Sequence, residues 1–233
     1  MFRFKQFAVE QQRCAMKVGT DGVLIGAWCD LRPQDRRILD IGTGTGVIAL
    51  MAAQRCPQAR VTAIDIDGDC AAQAQDNVAA SPWSDRVEVV CGDIRRLRSA
   101  EPFDHIISNP PYFTSSLLPP ESARSVARHC IELTFADIVE AADRLLSLDG
   151  RMSLILPQDA ADELIGLCRG RLSVNRRCDV RTTPRSPVKR SMLELVRSAA
   201  AAEPHREELV IQSAHEVFTD DYKRLTRDFY LKF

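Results

Sequence analysis

The sequence has no apolar run approaching the roughly 18 residues that a membrane span requires, so no span is expected in its 233 residues. It has no uninterrupted apolar leader either. Arg3, Lys5, Gln11, Gln12 and Arg13 break up the first residues, and a secretory signal is not expected. Its eight cysteines include no C-x-x-C pair. A chain long enough to bury one sizeable core needs no staples, so reduced thiols are expected rather than disulfides or a metal site. Internal repeats, low-complexity tracts and obvious linkers are missing too, which leaves one domain over residues 1–233 in a soluble, cytoplasmic chain. Net charge is almost absent, at −1. A polyanion would therefore have to be held by local patches.

What is present is alternation. From Arg37 onward, RILDI, VIALMAAQ, RVTAID, CAAQAQDNVAA, RVEVV and FDHIIS alternate short apolar runs with longer amphipathic stretches. Strand and helix in repeated succession require a parallel sheet with helices on both faces. The spacing of Phe135, Ile138, Val139, Ala142, Leu145 and Leu146 predicts a helix over 135–148, stopped by Asp149-Gly150 before the strand RMSLILP. A further helix is expected near Asp159 to Cys168. LSVNRRCDVRT and SMLELVRSA follow, separated by TPRSPVKR, which is too short for a helical crossover. These two strands should be antiparallel. The order resembles the class I methyltransferase fold, an α/β, Rossmann-like arrangement whose mostly parallel seven-stranded sheet ends in an antiparallel hairpin. The resemblance covers the core 37–198, preceded by a segment 1–36 on the cofactor and RNA side and followed by a strand and tail, 199–233.

The loop after RILDI reads Asp40-Ile41-Gly42-Thr43-Gly44-Thr45-Gly46 and leads into an apolar helix, the place where doubly wound sheets bind ligands. A dinucleotide fingerprint would need a glycine at Val47. What remains, D-x-G-x-G-x-G, resembles motif I of S-adenosylmethionine enzymes. There Gly42, Gly44 and Gly46 would let the backbone approach the cofactor, and Asp40 would fix the loop or accept from the cofactor's amino group. An acid at the end of the second strand can accept from both ribose hydroxyls, and Asp65 is the first choice, with Asp67 the alternative. After the third strand, Asp93 could accept from the adenine amino group, with Ile66 and Ile94 on either side of the ring.

Ser108-Asn109-Pro110-Pro111-Tyr112 follows FDHIIS directly. It resembles the N/D-P-P-Y/F/W motif of methyltransferases that act on amino groups conjugated to planar systems. Such an amine is a poor nucleophile until two acceptors hold its hydrogens. The Asn109 side-chain oxygen and the Pro110 carbonyl can supply them. Pro110 and Pro111 restrict the backbone and remove two N–H donors, and Tyr112 could stack on a flipped base. Families that methylate protein glutamine or the guanine exocyclic amine share this motif, so the flanking segments decide between them.

Arg13 to Trp28, RCAMKVGTDGVLIGAW, resembles the amino-terminal signature of bacterial tRNA(Val) adenine-37 N6-methyltransferases, and Tyr222 to Lys232, YKRLTRDFYLK, resembles that family's tail. The resemblance implies methylation of a valine tRNA at N6 of adenosine 37 with S-adenosylmethionine as cofactor. The glutamine enzymes carry a helical substrate domain before the fold, and here about 36 residues precede the first strand, which favours RNA. Thr20 or Asp21 could cap a helix beginning near Gly22, whose N–H groups would face the cofactor carboxylate. Lys17 could meet that carboxylate or an RNA phosphate. The densest basic stretch runs from Arg176 to Arg190 and contains one acid, Asp179. Arg177, Arg181, Arg185, Lys189 and Arg190 are therefore the expected phosphate contacts to the anticodon arm.

Overall fold

The computed structural model describes residues 1–111, 133–200 and 203–232. Its main sheet is built from β1 (Arg37–Ile41), β2 (Arg60–Asp65), β3 (Val87–Cys91), β4 (Phe103–Ser108), β5 (Leu146–Leu156), β6 (Leu172–Arg181), β7 (Val188–Arg197) and β8 (His205–Val210). Their spatial order is β8-β6-β7-β5-β4-β1-β2-β3. Only β7 runs against its neighbours, β5 and β6. The sheet thus has the mostly parallel layout and the antiparallel hairpin that the sequence implies, with eight strands rather than seven. The eighth, β8, pairs in parallel with the outer edge of β6 from His205 to Val210. It covers backbone groups that would otherwise form an open edge.

Alternation along the strands sends side chains to two cores. Ile38, Val61, Ile107 and Ile155 pack beneath the face carrying α1 (Thr20–Trp28) and α2 (Val47–Arg55). Leu39, Ile41, Ile106 and Leu154 pack beneath α4 (Phe135–Leu145) and α5 (Gln158–Leu167) on the other face. Between α2 and α4 in the chain, α3 (Gly68–Ala79) adds Val78 to the first core. α2 is buried at seven consecutive positions, Val47 to Ala53, so its place is fixed by packing all round rather than by one apolar stripe.

α4 stops at Leu145, three residues before the sequence-based end at residue 148. Leu146 already pairs with Phe103, and the next partners are His105 and Arg151, so residues 147–150 form a bulge in β5. Arg197 holds the junction by donating to the carbonyls of Asp143 and Leu146 at 2.8 and 2.9 Å. A bulge re-aims the strand at the point where a longer helix would have run into the sheet.

Strand order reverses between β1 and β4. The crevice at their carboxyl ends is where this class of sheet binds ligands. At the chain ends, a two-stranded hairpin of Phe2–Arg3 with Ala8–Val9 meets the tail after α6 (Asp220–Thr226). The Lys5 N–H donates to the Phe229 carbonyl at 2.9 Å, and Phe4 stacks on Phe7 and Tyr230. Among the described residues no helix is long and apolar enough to cross a membrane.

Candidate active site

Asp40 is fully buried at the fourth position of β1. Its Oδ2 accepts from Thr43 Oγ1 at 2.5 Å and from the Ala49 N–H at 3.1 Å. Its role is thus to hold the loop against the start of α2. Burial outweighs these bonds and pushes its pKa up to about 7.

Gly42, Gly44 and Gly46 all have positive φ, between 54° and 83°. At Gly42 and Gly44 a Cβ would meet nothing within 4 Å, so their backbone borders open space rather than packed core. That space is what a cofactor needs at this loop. Gly46 instead approaches α3, where a Cβ would lie 3.4 Å from Ala74 Cβ.

Asp65, the last residue of β2, reaches across to the glycine loop. Its Oδ2 accepts from the Gly44 N–H at 2.7 Å and its Oδ1 from the Asp67 N–H at 3.0 Å. Each oxygen keeps a lone pair for a ribose hydroxyl. Burial raises its pKa above the usual carboxylate value. The carboxylate of Asp67 is committed differently, because its Oδ1 accepts from the N–H groups of Asp69 and Cys70, both at 2.9 Å, and caps α3.

At the end of β3 the structure departs from the sequence reading. Both oxygens of Asp93 are taken by Arg95, which donates from its backbone, Nε and Nη2 at 2.7 to 3.0 Å. These bonds hold the Asp93 pKa below the ordinary value. An adenine amino group would therefore compete with three N–H donors of Arg95 for this carboxylate. Ile94 is only 5% exposed and belongs to the core with Ile64, whereas Ile66 is 43% exposed beside Asp65. Of that pair, only Ile66 has appreciable surface for a ring.

Asn109 and Pro110 follow β4 directly, one strand away from the glycine loop, and Ser108 Oγ ties the two strands by donating to the Ile41 carbonyl at 2.8 Å. Asn109 Oδ1 is buried and has no hydrogen-bond partner among the described residues. Such an acceptor costs about 1 to 3 kcal/mol unless something donates to it. Pro110 is buried and Pro111 exposed. Tyr112 lies outside the described residues.

Several expectations for the amino-terminal segment are corrected. α1 begins at Thr20 with Gly19 at its cap position and no side-chain cap, so neither Thr20 nor Asp21 caps it. Asp21 accepts instead from Arg190 Nε at 2.7 Å. Lys17 donates to the carbonyls of Gln11 and Cys14 and thereby closes its own loop. Sequence reasoning missed Asn77, which is 3% exposed. It donates to the carbonyls of Glu10 and Thr45 and accepts from the Glu10 N–H, each at 2.8 Å, so it staples the amino-terminal segment to the glycine loop. Gln73, one turn earlier, accepts from the Arg13 N–H. Two amides spaced i, i+4 on the inward side of an alanine-rich helix were the available signal.

The basic stretch is also altered by its surroundings. Arg177 pairs with Asp162 and Asp179, Arg181 with Glu208, and Arg190 with Asp21. Arg185 and Lys189 are exposed, and no carboxylate pairs with either among the described residues. Acids brought in by α5, β8 and α1 thus neutralise three of the five expected phosphate contacts.

Comparison with known proteins places this geometry. Residues 24–163 match the Methyltransferase small domain family. The tRNA1(Val) (adenine(37)-N6)-methyltransferase of Phocaeicola vulgatus is 47% identical over 231 residues, covering 99% of this chain and 97% of the relative. The protein of that name from Bacteroides fragilis is 44% identical over 235 residues, covering 99% and 98%. Among solved structures, a protein from Agrobacterium tumefaciens described as a predicted O-methyltransferase superposes with a TM-score of 0.67 at 23% identity, covering 90% of this chain and 96% of that one. TrmN from Thermus thermophilus gives 0.51 at 24% identity, covering 70% and 44%. At such identities the structural likeness establishes the fold alone.

Proposed function

This chain belongs to the tRNA1(Val) (adenine(37)-N6)-methyltransferase family, and from that membership we propose that it methylates N6 of adenosine 37 in a valine tRNA, receiving the substrate through the anticodon arm. It is an S-adenosylmethionine-dependent methyltransferase. The observation that carries the acceptor assignment is the unpartnered, buried Oδ1 of Asn109.

The residues present fit the cofactor. Open space borders the Gly42 and Gly44 backbone, and Asp65 has lone pairs to spare beside it. When bound, S-adenosylmethionine supplies an electrophilic methyl group on a sulfonium. The protein's own part is to make the amine a nucleophile. Asn109 Oδ1 accepts one N–H of the adenine amine and the Pro110 carbonyl accepts the other, which draws the nitrogen lone pair out of conjugation and offsets the positive charge that develops on nitrogen. No strong base is required before attack. Pro110 and Pro111 fix the carbonyl's direction, since neither can donate a backbone N–H or close into a helix. Arg185 and Lys189 are the phosphate contacts this reading retains.

Mass spectrometry of nucleosides from valine tRNA incubated with enzyme and cofactor should show N6-methyladenosine, mapped to position 37. Asn109→Ala should lower turnover by about a hundredfold or more while leaving cofactor affinity nearly intact. Wild-type turnover in that variant, or methylation of protein glutamine instead of RNA, would refute the assignment.

A further inference from the structure

A cavity of about 810 Å³ lies at the same edge of the sheet as Asn109, between the start of α1, the carboxyl end of β6, the first residues of β7 and the tail after α6. None of the glycine loop, Asp65 or Asn109 lines it. We propose that this groove is a second nucleotide site, which holds a nucleotide flanking the target adenosine; the proposal rests on the assignment of RNA as substrate.

Its composition is that of a single-strand RNA site. Leu24 and Val180 give an apolar floor, and the partly exposed ring of Phe218, backed by the buried Tyr222 with ring centroids 5.2 Å apart, gives an aromatic wall. Arg3, Lys189 and Lys232 stand exposed on its rim, and none of them pairs with a carboxylate among the described residues. Asp21 is the single acid among the lining residues, and Arg190 neutralises it at 2.7 Å. Three uncompensated cations around an aromatic hollow suit a base with its phosphates, since base–aromatic stacking tolerates any sequence and cations track the backbone. They do not suit a cationic or purely apolar partner. The volume is within the roughly 300–1,000 Å³ of small-ligand pockets.

Position supports a flanking rather than a target nucleotide. Ser108 lies opposite Leu154, Leu156 opposite Ser191, and Arg190 opposite Val180. The groove is therefore two to three strand spacings from Asn109, roughly 10–15 Å. That is too far for the base being methylated and near enough for its neighbours on the same strand.

The test uses the full-length protein and a fluorescently labelled anticodon-arm RNA, read by anisotropy across a salt series. Two variants are compared with wild type: Arg3→Ser/Lys189→Ser/Lys232→Ser, which removes the rim charge, and Leu231→Asp, which places an acid on a rim residue 61% exposed and so does not threaten the fold. Both should bind RNA about tenfold or more weakly, and the triple variant should lose about two from the slope of log affinity against log salt. Cofactor affinity should not change. The same losses should appear with an RNA made abasic at the target adenosine. Unchanged RNA affinity and slope would overturn the proposal, as would absence of RNA binding by wild type. Losses that vanish with the abasic RNA would show that the groove takes the target base itself, and self-association lost in the variants while RNA binding persists would make it a protein interface. Methyl transfer to the intact arm, measured in parallel, tests the acceptor assignment separately: its absence alongside groove-dependent RNA binding would refute the activity and leave the groove.

Discussion

Asp40, Asp65 and Asp67 show how differently one residue type is used around one loop. An unfolded aspartate ionises near 3.8, while burial lifts Asp40 in the folded protein to about 7. Between those values the folded state binds more protons than the unfolded state, so the stability this group contributes is complete at low pH and is lost as pH rises through about 7. Asp40→Asn is neutral throughout and should gain stability relative to wild type, on the order of 1 to 3 kcal/mol, between about pH 5 and pH 8. Thermal melts across that range check it, and parallel curves for the two proteins would exclude Asp40 as the titrating group. Asp65 and Asp67 should separate in the opposite sense. Asp65→Ala is expected to weaken cofactor binding by roughly 1.5 to 3 kcal/mol in calorimetry, because it removes a charged acceptor. Asp67→Ala should cost about 1 kcal/mol of stability through the lost cap of α3 and leave cofactor affinity nearly unchanged.

At the scale of elements, the β6–β7–β8 edge is a ladder of ion pairs. Arg176 meets Glu207 at 2.9 Å and Arg181 meets Glu208 at 2.7 Å across the β6–β8 register. Arg177 is bound at both ends, by Asp162 and Asp179. The first two pairs tie β8 to the sheet edge, that of Arg177 with Asp162 ties β6 to α5, and together they leave little cationic character to offer RNA. Arg181→Ala should therefore change stability by no more than about 1 kcal/mol, since the pair is partly exposed, and should leave the salt dependence of tRNA binding as in wild type. Arg185→Ala should do the reverse, lowering the salt slope by roughly 0.7 to 0.9 for one phosphate contact without moving the melting temperature. Equal effects of the two substitutions on RNA binding would mean that the strand arginines open their pairs on docking.

Across the whole molecule, the two ends of the chain are part of one core. Phe229 is 2% exposed and packs in the same cluster as Phe4, Phe7 and Tyr222, and the Lys5 ammonium donates to the Arg227 carbonyl at 2.5 Å. This closure holds the amino-terminal segment over α3, where Asn77 ties it to the glycine loop. Phe229→Ala should cost about 3 to 5 kcal/mol, read in a denaturation curve, and should weaken cofactor binding as well, because the segment it anchors borders the loop. A stable variant with normal cofactor affinity would show that the tail is only an appendage.

The sequence alone determined the succession of strands and helices along the chain from Arg37, the antiparallel hairpin and the places where chemistry sits. Each of those is a local signal: alternation marks a strand, and Gly42 to Gly46, Asp65 and Asn109-Pro110-Pro111 each lie at or directly after a strand's carboxyl end, which a parallel sheet brings to one edge. The tertiary structure decided which of the polar groups at that edge are available. Arg190 and Asp21 are 169 positions apart and Arg181 and Glu208 are 27 apart, so the count of one acid in a basic stretch could not foresee their neutralisation. The early end of α4 at Leu145 is settled by the same rule, through the pairing of Leu146 with Phe103, whereas Arg95 on Asp93 and the carbonyls that hold Lys17 are contacts within six residues, decided by the local path of the loop. A side chain's partner is chosen by what folding places within hydrogen-bond reach, and that depends on strand order and register, which no stretch of sequence carries by itself.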